Sequence, residues 1–126
     1  MVKVFRLDRE NVLRDLERWA RGLPEDVLAV ILFGSLARGD HTAFSDADLL
    51  IVLSRSDKPF LDRVPDLLPR GVAVPVDVFP YTCEELAAMC AEGAGVVRVA
   101  LEEGLFLRGG PQDILRVISP GDRARG

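Results

Sequence analysis

Gly34-Ser35-Leu36-Ala37-Arg38-Gly39, followed by Ser45-Asp46-Ala47-Asp48-Leu49-Leu50, is the stretch on which the reading of this chain turns. The run Val27 to Phe33 leads into it. That run is short, partly β-branched and has no polar face, as expected of a strand buried on both sides. It stops at Gly34-Ser35. Residues 36–38 have room for one short helical turn before a loop from Gly39 to Thr42. A second strand is expected over residues 46–53, where Leu49 to Leu53 is again apolar throughout. Asp46 and Asp48 stand two apart at its start, so both carboxylates point to one face. Carboxylates that close repel unless a cation or a proton lies between them.

Glycine lets a backbone approach a phosphate closely, and the Ser35 hydroxyl adds a donor. A Gly-Ser pair alone is a common turn, and it does not match the longer phosphate loop that ends in Gly-Lys-Ser/Thr. Its weight comes from the aspartates 11 and 13 residues beyond Ser35. A third carboxylate, Asp77, sits between Val76 and Val78, a costly place unless it is solvated or paired. Laid side by side, the strands bring Asp46, Asp48 and Asp77 together. Hard oxygen donors open to solvent suit Mg²⁺ or Mn²⁺ shared with a phosphate. Each aspartate also has a plainer reading. Asp46 can cap a turn, Asp48 can pair with Arg38, and Asp77 can face water on an edge strand. Arg38 either reaches a phosphate or holds an aspartate. His41, the single histidine, reads as a solvated loop residue, and no Ser–His or Cys–His arrangement for covalent catalysis is apparent.

Upstream, Asp8 reads as an N-cap with Leu7 and Val12 as the hydrophobic staple. Val12, Leu13, Leu16, Trp19, Ala20 and Leu23 then recur at helical spacing until Gly22 and Pro24 close the helix. Arg14, Arg18 and Arg21 form a stripe on its other face, with Glu10 and Glu17 placed to pair with Arg14 and Arg21. The stripe is either a solvated, ion-paired face or a basic rim for a partner. Downstream, Phe60, Leu61, Val64, Leu67 and Leu68 keep a helical period that Pro65 is expected to kink or split. Residues 72–79 read as a strand that Pro75 demotes to an edge or a bulge. Thr82 and Glu85 form a capping box for a helix to about Ala91, which Gly93 and Gly95 break. A second short helix runs from Val96 to Glu103 with Gly104 at its C-cap, and a last strand covers residues 105–107.

At 126 residues one domain is expected, with 1–110 as its body and 111–126 as a C-terminal tail, loose from Pro120 on. Hydrophobic residues at 48% and charged ones at 29% fit a soluble globular protein, and no run approaches a membrane span or a signal peptide, so a cytoplasmic location is expected. The net charge of −4 argues against direct coating of nucleic acid. Cys83 and Cys90 lie two helical turns apart, roughly 10 Å, too far for a disulfide, and lack zinc spacing.

These motifs, Gly34-Ser35 with Ala37-Arg38-Gly39, Ser45-Asp46-x-Asp48-Leu49 and a later strand bearing Asp77, resemble the minimal nucleotidyltransferases of the DNA polymerase β superfamily. The likeness is firm from Val27 to Phe79 and looser to Leu107. It implies an α/β fold, a short mixed sheet backed by helices. It further implies an Mg²⁺-dependent transfer with two ions, Asp46 and Asp48 binding both and Asp77 one. Gly34 and Ser35 would hold the β- and γ-phosphates of ATP, and Arg38 is a nucleotide-binding candidate. Little chain remains to form an acceptor site, so the resemblance points to a partner or a second copy. The usual partner is a small helical HEPN-type protein, adenylylated by its antitoxin. Transfer to a small molecule such as an aminoglycoside, and neutralisation of a partner by masking alone, are the alternatives.

Overall fold

The computed structural model describes residues 8–40, 45–93 and 95–118. In chain order the elements are α1 (Arg9–Arg21), β1 (Val27–Phe33), α2 (Ser35–Arg38), β2 (Ala47–Leu53), α3 (Phe60–Leu67), β3 (Val76–Thr82), α4 (Cys83–Ala91), α5 (Gly95–Glu103), β4 (Leu105–Arg108) and α6 (Pro111–Ile118). The strands form one mixed sheet in the order β3-β2-β1-β4. β1 is antiparallel to both β2 and β4, whereas β2 and β3 are parallel. A parallel pair needs a crossover between its strands, and the segment carrying α3 supplies it.

The central strands have no polar face because both faces are covered. Val30, Leu32, Leu49, Ile51 and Val78 pack with α1 through Val12, Leu16 and Ala20, and with Leu36 of α2 and Leu67 of α3. Ala29, Ile31, Phe33, Leu50 and Val52 pack on the opposite side with α4, α5 and α6 through Leu86, Val97, Ala100, Ile114 and Val117. Burying one such Val, Leu or Ile side chain contributes about 1.5–3 kcal/mol. Among the described residues no helix is long and apolar enough to cross a membrane.

Local expectations hold at several ends. Asp8 caps α1 by accepting from the Asn11 N–H at 3.2 Å, while Leu7 lies outside the described residues. Arg21 pairs with Glu17 at 3.6 Å and Arg18 with Asp15 at 4.0 Å, but Arg14 donates to Asn11 Oδ1 rather than to Glu10. These pairs are exposed and contribute little. The Thr82–Glu85 capping box is complete, with the two bonds at 3.2 and 2.8 Å. Cys83 and Cys90 are not joined in a disulfide.

Other expectations need correction. The third strand starts after Pro75, at Val76, and runs on to Thr82. Pro75 stays outside the ladder on the edge strand, and its carbonyl accepts from the Ala47 N–H at 2.9 Å. Pro65 does not split α3, which continues to Leu67. Pro65 lies near the end of an eight-residue helix, where few later bonds depend on it. The helical period placed Leu67 and Val64 correctly against the core but not Leu61, 77% exposed, or Leu68, 40%, while Arg63 is 6% exposed. Gly104 does stand at the end of α5 as expected, its N–H donating to the Ala100 carbonyl at 2.9 Å, with a φ outside the left-handed region. A Cβ at this position would strike the Ala100 carbonyl and Ile31 Cγ2, so the need is close packing of the end of α5 on β1. Residues 111–118 form α6 and bury Ile114 and Val117, with Asp113 accepting from the Gly110 N–H at 2.8 Å. Residues 119–126 lie outside the described residues.

Arg63 ties α3 to the sheet. Its Nε donates to the Lys58 carbonyl at 2.8 Å, and Nη1 donates to the Pro80 carbonyl at 3.0 Å and to Glu85 Oε1 at 2.6 Å. Nη2 completes a fork to Glu85 Oε2 at 3.2 Å. Glu85 is held below its ordinary value of 4.5, first by the Arg63 hydrogen bond and also by the Thr82 N–H. Arg63→Ala is expected to cost about 1.5–3 kcal/mol in denaturant unfolding. Because the folded Glu85 carboxyl is depressed, its contribution is complete above the unfolded value of about 4.5. It is lost as pH falls through the folded value. The variant should therefore lose less stability than the parent between pH 6 and about pH 3, measured by thermal melts across that range.

Candidate active site

β1 ends, and β2 and β3 begin, at one end of the sheet. The register carries a line across it: Phe33 opposite Asp48, and Asp48 opposite Asp77. Asp46 precedes β2 by one residue. Asp46 and Asp77 are exposed and Asp48 is half-buried. The parallel β2–β3 register thus places two of the expected carboxylates side by side. Burial raises the Asp48 carboxyl above its ordinary value, and the charges of Asp77 and then Asp46 raise it further. Phe33, opposite Asp48, and Phe79, two residues beyond Asp77 on β3, have ring centroids 5.7 Å apart.

Gly34 is required twice over. Its φ of 86° and ψ of −162° favour glycine, and a Cβ there would stand 2.6 Å from Asp48 Oδ2. The Asp48 carboxylate therefore lies directly against the turn. The Gly34 carbonyl accepts from the N–H groups of Ala37 and Arg38, both at 3.1 Å, which starts α2. Ser35 Oγ donates to Ser45 Oγ at 3.0 Å, joining the Gly-Ser turn to the residue before Asp46. Sequence reading missed this role of Ser45; its position next to Asp46 is the only signal it offers.

Arg38 joins neither the carboxylate line nor Asp48. Its Nε donates to Asp40 Oδ2 at 3.0 Å and its Nη1 to Glu103 Oε2 at 2.8 Å. Glu103 and then Asp40 push its guanidinium further above its ordinary value. Arg9, also missed, donates from Nε to the Leu36 carbonyl at 2.7 Å and from Nη2 to the Ala37 carbonyl at 3.2 Å. Nothing in the sequence links residues 27 and 28 apart in this way. His41 lies outside the described residues.

Among the described residues no three acidic, His or Cys side chains close up into a ready-made metal cage. The three aspartates instead offer hard oxygens on an open rim, with Asp48 under repulsion that a cation would relieve. This donor set fits Mg²⁺ or Mn²⁺, which takes one or two carboxylates and completes its shell with water and phosphate oxygens. A cleft of about 520 Å³ opens near the other end of β1 and β2, beside Val27, Leu53 and Arg63, and none of the candidate residues lines it.

The profile of the nucleotidyltransferase domain family matches residues 12–107. A Methanocaldococcus jannaschii protein, provisionally assigned as a protein adenylyltransferase, is 37% identical over 54 residues, 42% of this chain and 37% of that protein's length. Among solved structures, a toxin–antitoxin complex with AMP-PNP aligns with a TM-score of 0.52 at 17% identity, over 94% of this chain and 90% of that one. A Shewanella oneidensis complex of a tri-AMPylated HEPN toxin with MNT antitoxin aligns with a TM-score of 0.52 at 14% identity, over 93% and 89% of the two chains. At these identities the solved structures share the fold.

Two substitutions probe the rim in metal-free protein. Asp77→Asn removes a like charge opposite Asp48 and is expected to raise stability by about 0.5 kcal/mol. Gly34→Ala should lower it by about 1–3 kcal/mol through strain and the clash with Asp48. Thermal or urea unfolding in EDTA checks both, and a stabilising Gly34→Ala would contradict this geometry.

Proposed function

The chain belongs to the nucleotidyltransferase domain family, and from that premise we propose that it transfers AMP from ATP to a hydroxyl of a small helical HEPN-type protein, silencing it as an antitoxin. One observation carries the site assignment: Asp48 stands in register with Asp77, feels Asp46 beside it, and lies against the Gly34 turn. The provisional assignment of the Methanocaldococcus jannaschii relative supports a protein acceptor. The AMPylated HEPN toxin in a fold neighbour supports the partner class.

In this reading Gly34 and Ser35 hold the β- and γ-phosphates, with Ser35 bonded to Ser45 and Asp48 seated against Gly34 where no Cβ intervenes. Asp46 and Asp48 would hold both divalent ions and Asp77 one of them. Bound there, the ions stabilise the attacking and leaving oxygens of an in-line displacement. The acceptor oxygen forms a bond to the α-phosphorus and the bond to the β-phosphate bridging oxygen breaks. Pyrophosphate departs, and the acceptor's proton passes to the exposed Asp77 carboxylate and on to water. The open side of the rim, next to Asp46 and Asp77, is where the partner's hydroxyl would enter.

The test is incubation with ATP labelled at the α-phosphate, Mg²⁺ and the helical protein encoded beside this chain. Label is expected on the partner, absent in EDTA, and reduced at least about a hundredfold by Asp46→Asn with Asp48→Asn. Label on no protein acceptor rejects the antitoxin reading. Neutralisation that survives the double substitution favours masking over chemistry.

A further inference from the structure

The turn that meets the phosphates in the proposed reaction opens a helix too short to hold its own direction. α2 has four residues, below the length at which a helix is stable by itself. The Gly34 and Ser35 carbonyls are bonded within it or to Gly39, whose N–H reaches Ser35 at 3.0 Å. The Leu36 and Ala37 carbonyls come at its end, where no further turn supplies donors. Arg9 covers both from the first turn of α1, in the layer on one side of the sheet. A forked cation at a helix C-terminus suits both the geometry and the dipole. From the other side comes Glu103, the last residue of α5, which takes Arg38 Nη1 at 2.8 Å across 65 residues of chain. Asp40 takes the Nε edge of the same guanidinium.

We infer that Arg9 and Glu103 are positioning residues for nucleotide binding: they brace α2 from opposite layers, Arg9 directly and Glu103 through Arg38, and so aim the Gly34–Ser35 turn. The inference rests on reading that turn as the phosphate contact. It gives Arg38 a different part from the phosphate ligand that its motif suggests. Two edges of its guanidinium, Nε and Nη1, already serve two carboxylates. As a brace, it stays where it is.

The two roles predict opposite effects of one substitution. Glu103→Gln weakens the hold on Arg38. If Arg38 braces α2, nucleotide binding weakens; if Arg38 is a phosphate ligand, releasing it leaves binding unchanged or tighter. The experiment is calorimetric titration of a non-hydrolysable ATP analogue with Mg²⁺ into the full chain and its variants, with thermal melts to confirm folding. Arg9→Ala is expected to weaken the analogue about tenfold, and Glu103→Gln and Arg38→Ala each about three- to tenfold. Arg9→Lys should recover part of the loss, because one ammonium can serve one carbonyl well but not fork to two. Arg14→Ala, on the exposed face of α1, should bind as the parent does. If Arg9→Ala does not fold, Arg9→Lys and Glu103→Gln decide. Parent-like binding by the folded Arg9 and Glu103 variants overturns the inference while leaving the phosphate reading intact. So does tight binding by Glu103→Gln beside a loss in Arg38→Ala. Absence of binding by the parent chain overturns the phosphate reading and this inference with it.

Discussion

The contact between Asp48 and the bare backbone of Gly34 constrains the rest of this molecule. Asp48 Oδ2 occupies the space that a Cβ on Gly34 would need, 2.6 Å away. That closeness is possible only because β1 and β2 are antiparallel neighbours whose register sets Phe33 opposite Asp48. The parallel register of β3 then sets Asp77 beside Asp48. Burial first, and then the charges of Asp77 and Asp46, raise the Asp48 carboxyl, and the cost is sustained by the apolar sheet on which the carboxylates are mounted. A core buried on both faces of β1 and β2 allows one end of the sheet to carry charges that disfavour one another. Such local conflict within a well-packed frame is the signature of a site kept for binding rather than for stability.

Arginine does the connecting. The chain has 14 arginines against 2 lysines, an excess that composition alone would pass off as bias. In the structure Arg9 serves two carbonyls at the end of α2, and Arg63 forks onto Glu85 while reaching two carbonyls. Arg108 reaches the Ala20 and Leu23 carbonyls at 2.9 and 2.7 Å and the Pro24 carbonyl at 3.0 Å, closing the end of α1. A planar, five-donor fork can serve several backbone acceptors at once, whereas an ammonium on a flexible stem orients less well. Arg9 and Arg108 thereby serve carbonyls at the ends of α2 and α1, where the helices supply no further donors.

The family assignment and the candidate site point to the same chemistry, and the described residues leave the rim open. Helices occupy both faces of the sheet, yet Asp46 and Asp77 remain exposed at its end. A hydroxyl can therefore approach the rim from outside.

Much of this was legible from the sequence. The two buried strands, the Gly34–Ser35 turn, Asp46 with Asp48, the Asp8 cap, and the Thr82–Glu85 capping box are all local statements. They depend on side-chain period or on partners three residues apart, so the sequence by itself determined them. The resemblance to minimal nucleotidyltransferases carried the fold class, and the valines on either side of Asp77 singled that residue out. What only the tertiary structure decided was everything spanning distant residues: that Asp77 falls opposite Asp48 in a parallel pair, that Arg63 rather than Leu61 turns inward, and that Gly104 answers a steric need of Ile31. It also decided that Arg38 faces Glu103 and Asp40, and that Arg9 reaches α2. Register between strands and hydrogen bonds to backbone carbonyls leave no periodic mark in a sequence. A carbonyl is present at every residue, and which one an arginine meets is settled only when the layers pack.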